Sequence, residues 1–457
     1  MTTNRTLEGD ELAPVTSELT TEARKSSPSL TLTAALLGFA LICLDASVVN
    51  VALPAIGSSL GAGMSGLQWV VDAYTLPFAA LMLSTGAFSD RTGASRAFAL
   101  GTGVFTLASV ACGLAPNLPA LIGARVVQGL AAAVVLPASL ALVRQAFPEP
   151  ARRARAVATW AAGGSAAVAL GPVAGGLLTT AWDWRGIFFV NLPVGALILA
   201  MLLRAPRSER RPAPLDLPGQ ATAVVALTGV TFAVIEGGTA GWAALAVALL
   251  AGVAFFRIEA RSPHPVVPLG LFRDRTVAVA VAAGSAVSVA FYSVVFVFSL
   301  FFQQVQGLSA LRAGLAFLPM TGLIAVTNVV AGKVAGRYGA RAPMLVGQAL
   351  AVTGLLLLLS VDAGTSSVLT AVLLVPLALG CALTVPPLTA AMMDAVPVER
   401  AGLAAGMLNA ARQVAGGLGI AVFGSLVGGG FVDGMRMALL ISAGALALTW
   451  AGTLRLR

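Results

Sequence analysis

Charge is scarce in this 457-residue sequence: Asp, Glu, Lys and Arg together make up 10% of it, against 58% hydrophobic residues. A soluble globule needs about a quarter of its residues charged to cover its surface, so the composition excludes one. Histidine occurs once, at His264 between two prolines. The sequence therefore offers neither the paired histidines of a zinc protease nor a Ser-His-Asp set. Cysteine is limited to Cys43, Cys112 and Cys381. All three lie inside apolar runs without metal-ligand spacing, so they read as packing residues, with no disulfide or zinc indicated. No glycine-rich loop ends in Gly-Lys-Ser or Gly-Lys-Thr, which argues against ATP hydrolysis. With these absences and no sizeable soluble domain, neither an enzyme nor a bound cofactor or metal is expected. Lysine is confined to Lys25 and Lys333 while arginine is abundant, a compositional hint of a GC-rich bacterial genome.

What fills the chain instead is apolar sequence. Residues 1–29 are polar and acid-bearing, lack the pattern of a signal peptide, and are expected to form a disordered cytoplasmic tail. Fourteen apolar runs follow, from 32–56 to 434–454, each near the ~20 residues that cross a hydrocarbon core. The expected fold is an all-α polytopic membrane protein with fourteen transmembrane helices. Two pseudo-symmetric six-helix bundles would occupy 30–204 and 263–457. Residues 205–262 would hold a linker and two inserted helices, at 216–236 and 242–256.

The net charge of +9 does not point to nucleic acid, because the basic residues sit in short loops rather than along one stripe. With the N-terminus inside, 23 of the 28 Arg and Lys residues fall in inner segments and three, Arg185, Arg312 and Arg436, in outer ones. That bias puts both termini in the cytoplasm. Trp69, Trp182, Trp184 and Trp242 then lie at the outer interface, as an aromatic belt would.

Three intramembrane charges are candidates for chemistry. Asp45 lies near the middle of the first run, where a carboxylate is costly unless paired, wet or protonated. Asp72 in the second run and Arg125 in the fourth lie at similar depth, roughly 9 Å from the outer end. Either aspartate could pair with Arg125. Arg412 is the second intramembrane cation, and with Asn50, Gln303, Asn328 and Asn409 it is a candidate for the lining of a substrate cavity. Aromatic and aliphatic surface such as Phe291 and Tyr292 would suit apolar solutes or lipid equally.

Two patterns point to motion. The stretch from Gly86 to Arg96 joins two runs through Asp90, Arg91 and Gly93, with glycines for close approach and a positive-φ turn. Asp90 there can cap the next helix or pair with an arginine. A weaker copy recurs 246 residues later, with Gly332, Arg337 and Gly339 opposite Gly86, Arg91 and Gly93, which implies related halves. In the fifth run Gly163, Ala167, Gly171 and Gly175 repeat every four residues beside Pro172 and Gly176, forming one flat stripe for close packing.

These residues carry a family resemblance. The stretch from Gly86 to Arg96 resembles the signature loop between the second and third spans of the major facilitator superfamily. Gly171-Pro172 with Gly175-Gly176 resembles the fifth-span motif of its antiporters. The stretches from Trp182 to Pro193 and from Pro268 to Phe272 are similar to patterns of its fourteen-span branch. The resemblance implies a drug:proton antiporter of the bacterial cytoplasmic membrane, a monomer exporting a small amphipathic drug or antibiotic on the proton gradient. It further implies a proton-linked role for Asp45, with Asp72 second and Arg125 tuning both, a gating interface on the stripe, and a latch at Asp90 and Arg91. A metabolite importer or symporter on the same fold is the alternative.

Overall fold

The computed structural model describes residues 28–203, 208, 210, 216–263, 265, 267–397 and 400–456. The expected tail up to residue 27, most of the basic loop between 204 and 211, and His264 lie outside them. Every regular element among the described residues is helical. The first group comprises α1 (Pro28–Leu60), α2 (Met64–Thr92), α3 (Ala94–Gly113), α4 (Leu118–Ala146), α5 (Pro150–Trp182), α6 (Gly186–Phe189) and α7 (Asn191–Leu202). A pair follows, α8 (Leu217–Glu236) and α9 (Gly238–Arg261). The last group comprises α10 (Arg275–Leu300), α11 (Ala310–Ala316), α12 (Leu318–Tyr338), α13 (Arg341–Leu358), α14 (Ser367–Leu373), α15 (Val375–Asp394), α16 (Ala401–Gly428) and α17 (Phe431–Thr453). A π turn, Phe301–Val305, extends α10.

The apolar runs make helices because a backbone out of water must satisfy its own polar groups. The polar residues between runs serve as caps. Asn117, Asp216, Asp274, Ser309 and Ser366 each accept a backbone N–H of the first turn that follows, replacing bonds the helix cannot supply.

Twelve helical stretches among the described residues are long and apolar enough to cross a membrane, counting α10 with its π turn and α14 with α15. Two of the fourteen expected runs do not qualify as single straight spans. Helix α2 bends by 67° between Met82 and Ser84, and Gly186–Leu202 is short and divided at Val190 into α6 and α7. The expected inner loop also shrinks. Helix α2 continues through Asp90 and Arg91 to Thr92, and Gly93 alone, at φ 86°, turns the chain into α3. Gly339, at φ 79°, makes the corresponding turn between α12 and α13, and an L side chain would be strained at both.

Helices α1 to α7 pack into one bundle and α10 to α17 into another. The bundles meet along α2 against α16, and along α5 against α11 and α12. The pair α8 and α9 packs on itself and reaches the rest through α8, which lies against both α2 and α16. Glu236 at its end accepts bonds from Ser65 Oγ and Trp69 Nε1, both 2.8 Å, while Ser425 Oγ donates to the Val234 carbonyl at 2.8 Å. Trp182 and Trp242 are exposed, but Trp184 is fully buried beneath Phe188 and Arg185. It belongs to the core rather than to an aromatic belt, because the turn after α5 folds inward at Asp183, the one non-glycine with positive φ among the described residues.

Candidate functional site

The two bundles enclose a cavity of about 1370 Å³ lined from both sides. At one end it opens past Pro28, Asp90, Arg144 and Ser208. The other end is sealed. There Ser299 Oγ donates to the Asn50 carbonyl at 2.7 Å, Gln303 Nε2 to the Val51 carbonyl at 2.9 Å, and Gln68 Nε2 to the Ala421 carbonyl at 2.5 Å. The largest hydrophobic cluster, with Leu53, Ile56 and Val70 from one bundle and Phe296, Phe301, Phe302 and Phe423 from the other, lies at this end. Burial of that much apolar surface holds the two bundles together there.

Asp45 and Arg125 do pair, Nη1 to Oδ2, at 2.5 Å, both with side chains 1% exposed or less. The pair is the centre of a wider network. Gln128 Nε2 and Asn191 Nδ2 each donate to Asp45 Oδ1 at 2.8 Å, Arg125 Nη1 donates to Gln128 Oε1 at 2.9 Å, and Arg125 Nε donates to the Val70 carbonyl at 3.1 Å. Asn191 also donates to Ser109 Oγ at 2.9 Å, and the Tyr74 ring lies 4.3 Å from the guanidinium carbon. Helices α1, α2, α3, α4 and α7 thus supply every partner, so the charge pair sits inside one bundle, outside the cavity lining. Sequence reasoning missed Gln128 and Asn191. The signal for Gln128 was its place three residues after Arg125, on the same helix face.

Asp72 is not part of this network. Its side chain is fully buried, and neither carboxylate oxygen has a hydrogen-bond partner. It points across the boundary between bundles: a Cβ added at Gly417 of α16 would lie 3.2 Å from Asp72 Oδ1. A buried polar group without a partner is expensive to keep, and this one sits on the surface along which the bundles meet.

The remaining candidates divide by position. Asn50, Asn328, Asn409 and Arg412 line the cavity, while Gln303 does not and belongs to the sealed end. Gly163, Gly171 and Gly175 face α1 of their own bundle, against Leu36, Ser47 and Val48. The contact of α5 with the opposite bundle is made by the next face round. Gly176 abuts Ala310 and Leu311, and Gly314 of α11 abuts the Pro172 carbonyl. The flat stripe is therefore an internal seam, because residues four apart turn the same side to one neighbour. Gly86 has open space where a Cβ would be, so no helix approaches closely there. Asp90 and Arg91 are exposed at the open mouth and form no ion pair among the described residues. No latch is therefore closed by an ion pair among the described residues.

Comparison with known proteins agrees with this architecture. A family model for the Major Facilitator Superfamily matches residues 35–420. The chain is 41% identical over 409 residues to the multidrug resistance protein Stp of Mycobacterium tuberculosis, covering 87% of this chain and 75% of that protein. It is 37% identical over 417 residues to the methylenomycin A resistance protein of Streptomyces coelicolor, covering 90% and 88%. The crystal structure of a D-xylose-proton symporter superposes with a TM-score of 0.71 at 14% identity, over 94% of this chain and 98% of that one, a likeness of fold alone.

Proposed function

The chain belongs to the Major Facilitator Superfamily, and from that membership we propose that it exports drugs or antibiotics across the bacterial cytoplasmic membrane in exchange for protons. It is a transporter, not an enzyme. The observation that carries the reading is the cavity between two bundles, open at one end and sealed at the other, which is the geometry alternating access requires. Export rather than import follows the relatives, which are named for resistance to multiple drugs and to methylenomycin A.

The finer parts of the proposal rest on sequence and position. The positive-inside bias makes the open end cytoplasmic, with both termini on that side. Counting bent α2 and the run α6 and α7 as one crossing each, the chain crosses fourteen times, with α8 and α9 inserted between the two six-span bundles. Protons, the drug and lipid are the only partners required, and a monomer suffices.

Proton coupling falls to Asp72. A coupling carboxyl must change surroundings between the two states, and the boundary of α2 with α16 is one that rocking must open. Asp45, by contrast, is held by partners that all move with its own bundle, so its part is to keep Arg125 compensated.

The test is accumulation of a neutral dye, Nile red, in energised cells. Cells carrying the chain should hold less dye than cells without it, and a protonophore should remove the difference. Asp72→Asn should abolish the protonophore-sensitive part while the chain remains inserted. Higher accumulation with the chain would reverse the direction of transport, and undiminished efflux in Asp72→Asn would remove Asp72 from coupling.

A further inference from the structure

Of the charged side chains that line the cavity among the described residues, Asp90 and Arg144 stand at its mouth, and Arg412 lies within. Counting from Leu403 at the mouth, Arg412 is nine residues further along α16, roughly 14 Å deeper at 1.5 Å per residue. The two intramembrane carboxylates that would suit a cationic solute are not available to the cavity. Asp45 is saturated by Arg125, Gln128 and Asn191, Asp72 lies against α16 at Gly417, and neither borders the cavity.

The Arg412 guanidinium is only loosely held. Its Nε donates to Ser288 Oγ at 3.3 Å and its Nη1 to Asn409 Oδ1 at 3.5 Å. No carboxylate forms an ion pair with it among the described residues. A guanidinium has five donors in a planar fork suited to a carboxylate or other oxyanion, and here Arg412 lines the cavity with two long hydrogen bonds to neutral partners among the described residues. The same cavity is lined by aromatic residues from both bundles. Tyr292 and Phe291 stand on the neighbouring α10, and Phe39 is stacked on Trp160 with centroids 4.1 Å apart on the other bundle.

We propose that the cavity selects amphipathic organic anions, an aromatic or aliphatic body carrying a carboxylate or comparable oxyanion, with Arg412 as the residue that grips the acid group. This rests on the efflux reading and names its substrate class. The physical reason is that a cation deep in a membrane protein is costly without a counter-charge. An anionic solute supplies that charge on binding, whereas a cationic one adds repulsion where no acid among the described residues pairs with Arg412 to offset it. The aromatic residues take the body of any such solute; their π faces attract cations modestly, so the preference for an anion comes from Arg412 alone.

The experiment uses two xanthene dyes of similar shape and opposite charge, fluorescein and rhodamine 6G, with neutral Nile red as reference. Binding to the purified full chain in detergent is read by fluorescence anisotropy. The wild-type chain should bind fluorescein in preference to rhodamine 6G. Arg412→Gln should lower the ratio of fluorescein to Nile red affinity by about tenfold to a hundredfold, the scale of one lost charge-assisted contact. Arg412→Lys, which keeps the charge, should recover most of that ratio. Preference of the wild-type chain for rhodamine 6G would overturn the proposal. So would an Arg412→Gln variant whose affinities for fluorescein and Nile red fall together, or a lysine variant no better than the glutamine one. The same dyes in cells, with fluorescein loaded as its diacetate, separate the two layers. Selective binding in detergent without export of any dye would sink the efflux reading and leave the ligand class standing.

Discussion

Arg125 is a buried cation whose one acidic partner among the described residues is Asp45. Breaking one side of such a pair leaves an uncompensated charge and in soluble proteins costs about 3–5 kcal/mol, whereas removing both charges is far milder. Asp45→Asn should therefore lower the thermal melting temperature in detergent markedly, and the double variant Asp45→Asn with Arg125→Gln should regain most of it. A double variant as unstable as the single one would mean that the surrounding hydrogen bonds, not the charges, hold the network. At this scale the sequence was half legible. Counting residues gives depth, and depth put Asp45, Asp72 and Arg125 within reach of one another. Which aspartate faces the arginine depends on the rotation of α1 and α2 about their axes, and helices that are apolar all round carry no stripe from which to read it. The same gap hid Asn191, a single polar residue in an apolar run.

Among the elements, α5 separates two jobs that its sequence runs together. One face, with Gly171 and Gly175, is filled by α1, and the adjoining face, with Gly176, is filled by α11. Substitution at the first must disturb the bundle itself, since an added Cβ at Gly171 would overlap the Ser47 hydroxyl. At Gly176 the obstruction is the backbone of the opposite bundle, at Ala310. Gly171→Val is accordingly expected to reduce folded yield. Gly176→Val should fold but fail to seal, so that a cysteine introduced at Gln303 becomes reactive from the sealed side. Equal loss of fold in both would erase the distinction. The four-residue spacing was plain in the sequence, and its meaning as a packing stripe was right. Its partner was not readable, since small residues serve any neighbour that comes close. The turn after α2 shows a different limit: polar residues from Ser89 to Thr92 look like a loop, yet they finish a helix, with Asp90 and Arg91 exposed at the bundle end and the Thr92 hydroxyl donating to the Phe88 carbonyl within the helix.

For the whole molecule, composition and loop charge were enough to give a polytopic helical protein, and the recurrence of Gly93 at Gly339 was a true trace of two related turns. The number of crossings is less direct, because hydropathy reports length and not straightness, and α2 is bent while α6 and α7 share one short run. The asymmetry of the cavity was beyond the sequence altogether, since a transporter's sequence must suit both of its states and favours neither in its pattern.

Two of the three cysteines look into that cavity from opposite bundles, Cys43 on α1 and Cys381 on α15, while Cys112 is buried beside Gln128. The unaltered chain thus carries its own pair of chemical reporters. N-ethylmaleimide, read out by peptide mass spectrometry, should modify Cys43 fastest, Cys381 more slowly and Cys112 not at all. A bound solute should shield the first two together, so that occupancy, and later the passage from one state to the other, can be followed without engineering a single label.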